Sequence, residues 1–309
     1  MSSMSLRGVV PILATPFDAD GALDEASLGR LIDYEMAASA RGLAVFGMAS
    51  EAFSLSGDER RRILEIAVRG TDGTGLPLIA GIAPTSLQSA RDQLASCAAG
   101  GASVVMVMPP HFVKPSAAQV VDFFGALSED AATAGLEIMV QDAPGATGVV
   151  MDVDTLAACA SFDAVTSVKV EAPPTAPKIH RLSTRAEFAD VEILGGQNAQ
   201  FLLEELASGA VGTMPACEFT DLLVPIIEDW NAGREDAARD EFTRILPLVV
   251  WGLQPGIAWA VHKEVLVARG IIAHSTVRSP ASPLAPHSRV LLHQMTERLH
   301  LPAVDRVRV

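Results

Sequence analysis

The chain has 309 residues, of which 49% are hydrophobic and 19% are charged. This composition supplies a substantial apolar core and excludes a disordered or fibrous protein. The length fits two domains or one large α/β barrel. Because 37 Asp and Glu outnumber 23 Lys and Arg, the formal net charge is -14, which argues against nucleic acid and anionic membranes as partners.

Targeting and membrane signals are weak along the chain. Pro11 and Pro16 interrupt the only hydrophobic stretch near the N-terminus, and no charged segment precedes a long apolar one, so secretion is not expected. Apolar runs elsewhere, such as Leu246 to Leu253, fall short of the ~20 residues that a membrane span needs. We therefore expect a cytoplasmic protein.

Three cysteines, Cys97, Cys159 and Cys217, lie far apart in the sequence. They form no CxxC motif and no His cluster has metal-ligand spacing, so the sequence indicates neither a disulfide framework nor a zinc site. Each cysteine is predicted to pack in a core.

Eight short apolar runs recur before residue 215. They are nearly continuous in apolarity, which is typical of parallel strands covered on both faces. The runs are Gly8 to Ala14, Leu43 to Met48, Leu76 to Ile82, Val104 to Met108, Leu136 to Gln141, Val165 to Val170, Val191 to Leu194 and Ala210 to Met214.

Helix-like segments separate these runs, and several begin with a Ser or Asp that can cap a helix. In one of them Ser56 and Glu59 form a capping-box pattern. The segments are Asp24 to Ser39, Ser56 to Thr71, Ser86 to Ala99, Ser116 to Ala134, Asp152 to Ala160, Pro174 to Ser183 and Asn198 to Ser208.

Alternating strands and helices at this spacing predict a (β/α)8 TIM barrel. A doubly wound open sheet is the alternative, but Thr15-Pro16-Phe17 follows the first run where that fold usually has a glycine-rich phosphate turn. Four further helices are expected at Asp221 to Asn231, Arg234 to Val250, Pro255 to Ala268 and Pro286 to Leu299. We therefore expect a barrel core over residues 1–220, and a barrel-closing helix with a C-terminal helical extension over residues 221–309, as one structural unit.

Active sites of such barrels lie at the carboxyl ends of the strands. The polar residues that end the runs are therefore the candidates for chemistry. They are Thr15, Ser50, Glu51, Thr85, His111, Gln141, Asp142, Lys169, Glu171, Gln197, Asn198 and Thr213.

Lys169 is the most informative of these, because it lies inside an otherwise apolar strand. Desolvation there favours the neutral amine that Schiff-base chemistry needs. Glu171 follows two residues later and can share the same strand face. From the residues alone, a purely structural pair of Lys169 and Glu171 remains an equal alternative.

Three motifs and this lysine resemble the dihydrodipicolinate synthase and N-acetylneuraminate lyase superfamily. The motifs are Pro11 to Phe17 with Asp20-Gly21, then Gly47 to Glu51, and then Pro144 to Gly148, followed by Lys169. The similarity extends from about Gly8 to the final helices. The resemblance implies a class I aldolase-type (β/α)8 barrel, typically tetrameric, in which Lys169 forms a Schiff base with a 2-keto acid.

The motifs also depart from the pattern of the synthases and lyases. Residues 47–51 read Gly-Met-Ala-Ser-Glu instead of Gly-Thr/Ser-Thr-Gly-Glu, which leaves Ser50 as the one hydroxyl. Gln141 replaces a tyrosine, and an amide cannot transfer a proton as a phenol can. Residues 110–112 read Pro-His-Phe instead of Pro-Tyr-Tyr, and Ala146 replaces the arginine that grips the synthase's dicarboxylate substrate. A role in lysine biosynthesis is therefore disfavoured.

With those groups absent, Glu171 is the first candidate for the acid and base, and His111 is the second. Gln141, Lys169 and Glu171 in their local setting resemble the branch of L-2-keto-3-deoxyarabonate dehydratases. That resemblance implies a hydro-lyase that removes water from a 2-keto-3-deoxy sugar acid, most simply a pentonate, and gives 2-oxoglutarate semialdehyde. It implies no metal and no organic cofactor.

The substrate-binding residues are assigned by position in the family. Ser50 and the backbone at Ala49 are expected to hold the substrate carboxylate, and Gln141 is expected to contact the substrate. Thr15 and Thr213 are weaker candidates, because each can simply cap a helix. Gly196 is equally compatible with a tight turn and with a substrate contact.

Two other functions stay open. One is an aldolase for a keto-deoxy sugar acid or a synthase-like pyruvate condensation, which keeps the Schiff base but acts on a carbon–carbon bond. The other is a non-catalytic barrel that binds a keto acid. A homotetramer is expected from the resemblance and from the apolar C-terminal helices, in which Trp251, Leu253, Ile257 and Trp259 are candidates to cover a subunit or barrel surface.

Overall fold

The computed structural model describes residues 5–301 and shows a parallel eight-stranded barrel over that part of the chain. The strands are β1 (Gly8–Val9), β2 (Leu43–Val45), β3 (Leu78–Ile82), β4 (Val104–Val107), β5 (Glu137–Asp142), β6 (Val165–Val170), β7 (Glu192–Gly195) and β8 (Gly212–Thr213). Hydrogen-bonded neighbours follow the order β1-β8-β7-β6-β5-β4-β3-β2. Bridges from Ile12 to Ala44 and to Ala216 close the barrel. The predicted (β/α)8 fold is confirmed.

Helices follow the strands and cover the outside of the barrel. Within residues 5–301 they are α1 (Glu25–Ala37), α2 (Gly57–Thr71), α3 (Leu87–Ala99), α4 (Ala117–Ala134), α5 (Pro144–Thr147), α6 (Val153–Ala160), α7 (Thr175–Ser183), α8 (Leu202–Ala207), α9 (Thr220–Asn231), α10 (Glu235–Trp251), α11 (Ala258–Ala268) and α12 (Pro286–Arg298). The predicted capping box opens α2, where the Glu59 N–H donates to Ser56 Oγ at 3.2 Å and the Ser56 N–H donates to Glu59 Oε2 at 2.9 Å. None of the helices in the described part of the chain is long and apolar enough to cross a membrane.

The first and last strands are shorter than the apolar runs that predicted them. Pro11 and Pro215 lack the N–H that a regular ladder needs. The chain nevertheless stays in place through separate backbone bonds, including Ile12 N to Pro215 O at 2.8 Å and Leu13 N to Ala44 O at 2.8 Å.

Side chains alternate between the barrel interior and the layer beneath the helices. One buried cluster fills the interior, with Val10, Ile12, Ala44, Ile79, Val104, Met106, Met139, Leu194 and Met214 among its members. Lys169 pairs in register with Gln141 on β5 and with Leu194 on β7, so it shares the inward face. Lys169 therefore lies at the end of the apolar cluster that fills the barrel interior.

A second core joins the C-terminal helices to the barrel. Buried side chains of α9, α10 and α11 form one cluster with Val9, Leu202 and Leu203. The three cysteines Cys97, Cys159 and Cys217 are free and buried, which confirms that they pack in the core.

β8 and β1 approach each other closely at Gly212 and Gly8, so a larger side chain there tests how the barrel closes. A Cβ atom on Gly212 would lie 2.1 Å from Gly8 O and 2.6 Å from Gly8 N, and backbone atoms cannot move aside as a side chain can. Gly212→Ala is expected to lower the free energy of unfolding by about 1–3 kcal/mol or more, measured by urea denaturation. Gly29→Ala in α1 is the matched control: its Cβ meets nothing within 4 Å, so a gain of about 0.5–1 kcal/mol is expected.

Candidate active site

A cavity of about 440 Å³ opens at the carboxyl ends of the strands. Lys169 and Glu171 line it together with Ala49, Gln197, Trp259 and His262. Most of the remaining lining is apolar. The location is the one expected for an active site in this fold.

Lys169 and Glu171 form a buried ion pair in this cavity. Lys169 Nζ lies 3.2 Å from Glu171 Oε1, and the two side chains are only 4% and 7% exposed. Gln141 Nε2 donates to Glu171 Oε2 at 2.7 Å, and the Gln197 N–H donates to Glu171 Oε1 at 3.3 Å. Both carboxylate oxygens are therefore held, with one of them directed at the amine.

The turn after β7 makes room for this carboxylate. A Cβ atom on Gly196 would lie 2.4 Å from Glu171 Cγ, so only glycine fits there without a shift. Gln197, Asn198 and Ala199 follow with φ values of 47°, 56° and 64°. These positive values are uncommon for residues other than glycine. At the start of this turn the Gln197 N–H donates to Glu171. Gly196 is thus both a turn residue and a neighbour of Glu171.

The loop after β2 forms the opposite wall. Met48 and Ala49 line the cavity, and the Met48 carbonyl accepts a hydrogen bond from Trp259 Nε1 at 2.6 Å. Thr15 Oγ1 donates to the Ser50 carbonyl at 2.7 Å. Thr15 holds the loop through this bond, and Ser50 Oγ is buried with no hydrogen-bond partner among the described residues, whereas Ala49 reaches the cavity itself.

A buried ion pair anchors that loop to α11. Glu51 pairs with Lys263, and the Arg278 N–H donates to Glu51 Oε2 at 2.9 Å. Burial lowers the pKa of Lys263 to about 8 despite the nearby carboxylate. Lys263 Nζ also lies 4.1 Å from the centre of the Phe17 ring. The C-terminal helices therefore hold one wall of the cavity.

His111 and Thr213 were predicted as site residues, but neither lines the cavity. His111 follows β4, where its Nδ1 lies 3.4 Å from the Pro109 carbonyl, and it is not among the described residues that line the cavity. Thr213 is fully buried next to Met214, which does line the cavity. Because successive residues of a strand face opposite sides, the Thr213 side chain points toward the helices.

Other lining residues were missed by the sequence analysis. They are His262 and Trp259, which belong to α11. Asn198, one of the polar residues expected at a strand end, does line the cavity, and its side chain accepts from the Ala216 N–H at 2.9 Å and donates to the Val249 carbonyl at 3.2 Å. Leu253 and Trp259, which were expected to cover a subunit or barrel surface, line this chain's own cavity. The sequence signal that could have pointed to these residues is Pro255-Gly256, a turn pattern just before α11.

Behind β7 lies a further carboxyl group, Glu205 of α8. A Cβ atom on Gly195 would lie 1.8 Å from Glu205 Oε2, so this glycine lets the carboxyl approach the strand. Burial raises the pKa of Glu205 to about 7, and the negative charge of Glu171 adds to the shift. Glu205 is thus an electrostatic neighbour of the site without lining it.

Comparison with known proteins finds similarity along almost the whole chain. The model of the dihydrodipicolinate synthetase family matches residues 5–299. An L-2-keto-3-deoxyarabonate dehydratase from Azospirillum brasilense is 33% identical over 306 residues, covering 95% of this chain and 94% of the relative. A 4-hydroxy-tetrahydrodipicolinate synthase from Synechococcus sp. (strain WH7803) is 30% identical over 278 residues, covering 89% of this chain and 88% of the relative. The crystal structure of dihydrodipicolinate synthase from Rhodopseudomonas palustris matches with a TM-score of 0.86 and 27% identity, covering 94% of this chain and 97% of that chain.

The raised pKa of Glu205 predicts a pH-dependent stability. The carboxyl titrates near 4.5 in the unfolded chain and near 7 in the folded chain, so between these values the folded state holds a proton that the unfolded state has released. The free energy of unfolding should therefore fall as pH rises through this window, by at most about 1.4 kcal/mol per pH unit, and the contribution should be constant outside it.

The measurement compares urea unfolding of the wild type with that of Glu205→Gln. The neutral amide removes this titration, so the difference between the two proteins should change between about pH 4.5 and 7. A difference that stays constant across that window would contradict the prediction.

Proposed function

The chain belongs to the dihydrodipicolinate synthetase family, and on that premise we propose that it is a Schiff-base-forming dehydratase of a 2-keto-3-deoxy sugar acid. The first candidate substrate is L-2-keto-3-deoxyarabonate. The similarity to an L-2-keto-3-deoxyarabonate dehydratase, nearly complete on both chains, supports this choice. The observation that carries the proposal is the buried pair of Lys169 and Glu171 at the mouth of the barrel.

Lys169 is the covalent residue in this mechanism. Its amine gives up a proton and attacks the C2 carbonyl of the keto acid, and water leaves as the iminium forms. The carboxylate of Glu171, 3.2 Å away, orients the amine, and the two protons that the ammonium group loses leave with the C2 oxygen as water, so Glu171 is free to act as a base in the next step. The positive iminium then draws electrons from C3 and makes its hydrogens more acidic.

Glu171 is the base for the next step. It takes a proton from C3 to give an enamine, and the enamine electrons then expel the C4 hydroxyl, which takes up a proton and leaves as water. Rearrangement of the resulting double bond and hydrolysis of the imine release 2-oxoglutarate semialdehyde and free Lys169. Gln141 holds Glu171 through its amide instead of transferring a proton itself.

The cavity chemistry supports a substrate with one carboxylate. Lys169 is its only lysine, and no arginine is among the described residues that line it. Ala146 lines the cavity where the synthases of this family have the arginine that grips a second carboxylate. The proposed contacts of the C1 carboxylate are the backbone at Ala49 and the neighbouring hydroxyl of Ser50, which has no hydrogen-bond partner among the described residues.

Covalent trapping tests the role of Lys169. Borohydride reduction in the presence of pyruvate should add mass to the peptide that contains Lys169, and Lys169→Ala should abolish the adduct. Lys114→Ala is the matched control, because Lys114 bonds backbone carbonyls outside the cavity and its loss should leave trapping intact. An adduct that persists in Lys169→Ala contradicts the proposal.

Glu171→Gln separates imine formation from proton transfer. The amide keeps the shape of the carboxylate but cannot accept a proton from C3, so trapping should persist while dehydration falls ~10²–10⁴-fold. Turnover near the wild-type rate would instead move the role of base to another group. Equal losses in trapping and turnover would indicate a structural pair.

Substrate assays distinguish the dehydratase from an aldolase. Wild-type protein given 2-keto-3-deoxypentonate should release 2-oxoglutarate semialdehyde, whereas pyruvate mixed with candidate aldehydes should give only the imine. Carbon–carbon bond formation in the second assay would favour the aldolase or the synthase-like condensation. A protein that forms the imine and turns over neither set would match a keto-acid-binding barrel.

We also propose a homotetramer, on family resemblance. Phe112 and Val113 support association of copies, because these neighbouring apolar side chains are 82% and 75% exposed in the single chain. Light scattering at micromolar concentration should give four times the chain mass of 32.4 kDa. A monomeric mass would overturn this part of the proposal.

A further inference from the structure

A second pair of proton-handling side chains adjoins the cavity. His262 of α11 lines it, and His262 Nδ1 lies 2.6 Å from Glu218 Oε1. The His262 side chain is 6% exposed and that of Glu218 is fully buried. This pair belongs to different elements from Lys169 and Glu171 and plays no part in the steps assigned to them.

Glu218 is fixed in place by its surroundings. Its carbonyl accepts from Arg269 Nη1 at 2.6 Å, and Arg269 in turn forms an ion pair with Asp221 at 2.5 Å. Two residues earlier, the Ala216 N–H donates to Asn198. The backbone of Glu218 is therefore fixed, and its carboxylate holds the imidazole through Oε1, as the acidic member of a catalytic triad orients its histidine.

The other side of the ring is left open to the cavity. A Cβ atom on Gly252 would lie 2.8 Å from His262 Cε1, so the glycine at the end of α10 leaves space beside the ring. Gly252 also lines the cavity. Within residues 5–301, Glu218 is the only hydrogen-bond partner of the ring, which leaves Nε2 for a bound molecule.

We propose that His262, oriented by Glu218, is the general acid that protonates the departing C4 hydroxyl of the substrate. This inference rests on the proposed dehydratase function and divides the proton transfers between two pairs. Glu171 removes the proton from C3, and His262 supplies the proton to the leaving oxygen. A hydroxide ion is a poor leaving group, so such a proton donor speeds the elimination.

The step balances in atoms and electrons. The enamine electrons form the C3–C4 double bond and restore the iminium as the C4–O bond breaks. The proton on His262 Nε2 moves to that oxygen, and the two leave as water. Glu171 returns the C3 proton to solvent, and His262 takes one up, so the pairs are reset without another reactant.

Hydrogen–deuterium exchange of pyruvate measures imine formation and proton removal from C3 without the loss of the C4 hydroxyl. Exchange of the methyl protons in deuterated water requires Lys169 and Glu171 but not His262. In His262→Gln, exchange should stay near the wild-type rate while dehydration of 2-keto-3-deoxypentonate falls ~10²–10⁴-fold. Glu171→Gln should lose both activities.

Glu218→Gln is the second variant, in case the substitution in α11 prevents folding. It keeps the shape of the side chain and removes the carboxylate that orients the ring through Nδ1, so it should also lose dehydration and keep exchange. The matched control is His180→Gln, because His180 is exposed on α7 and should leave both rates unchanged. Circular dichroism spectra verify that each variant is folded.

The outcomes separate the two proposals. Wild-type protein that exchanges pyruvate protons but dehydrates no keto-deoxy acid overturns the proposed function and this inference with it. Wild-type dehydration that persists undiminished in His262→Gln, or in Glu218→Gln where the first variant does not fold, overturns the role of His262 alone. If a folded variant loses exchange and dehydration to the same extent, His262 and Glu218 support the whole site. That result also overturns the role of His262 as general acid.

Discussion

The ion pair between Lys169 and Glu171 is the interaction on which the site depends. An ammonium group above an apolar barrel interior is stable only with a partner, because burying an unpaired charge costs several kcal/mol. Glu171 supplies that partner from the same face of the chain two residues later. Any molecule that reacts with the amine therefore displaces or uses this carboxylate.

Several backbone features exist to hold that carboxylate. Gly196 leaves space for it, and Gln197, the first of three left-handed residues, donates its N–H to Glu171. Left-handed backbone in non-glycine residues costs about 1–3 kcal/mol each. The Asn198 side chain offsets part of this cost by accepting from the Ala216 N–H and donating to the Val249 carbonyl of α10. The strained turn thus joins β7, the loop after β8 and the C-terminal helices.

The barrel, and the place of Lys169 in the cavity wall, could be predicted from the sequence because both depend on local patterns. Apolar runs at regular spacing define the strands, and a lysine inside such a run is visible without a structure. His262 and Trp259 were not predicted as lining residues, because they lie on a helix whose position over the barrel is set by long-range packing. Thr213 was assigned to the site from its place at a strand end, but side-chain alternation turns it outward. His111 could not be judged from its position after a strand, since the loop that follows decides where it lies.

The cavity wall has two parts, one formed by the barrel strands and one formed by α11. The strands provide Lys169 on a wall that continues into the packed barrel interior. The helix provides Trp259 and His262 to the far side of the cavity, while Lys263 on the same helix keeps it attached through Glu51. Substitutions of Trp259 can therefore reshape the cavity while Lys263 keeps the helix attached and Lys169 stays on its strand.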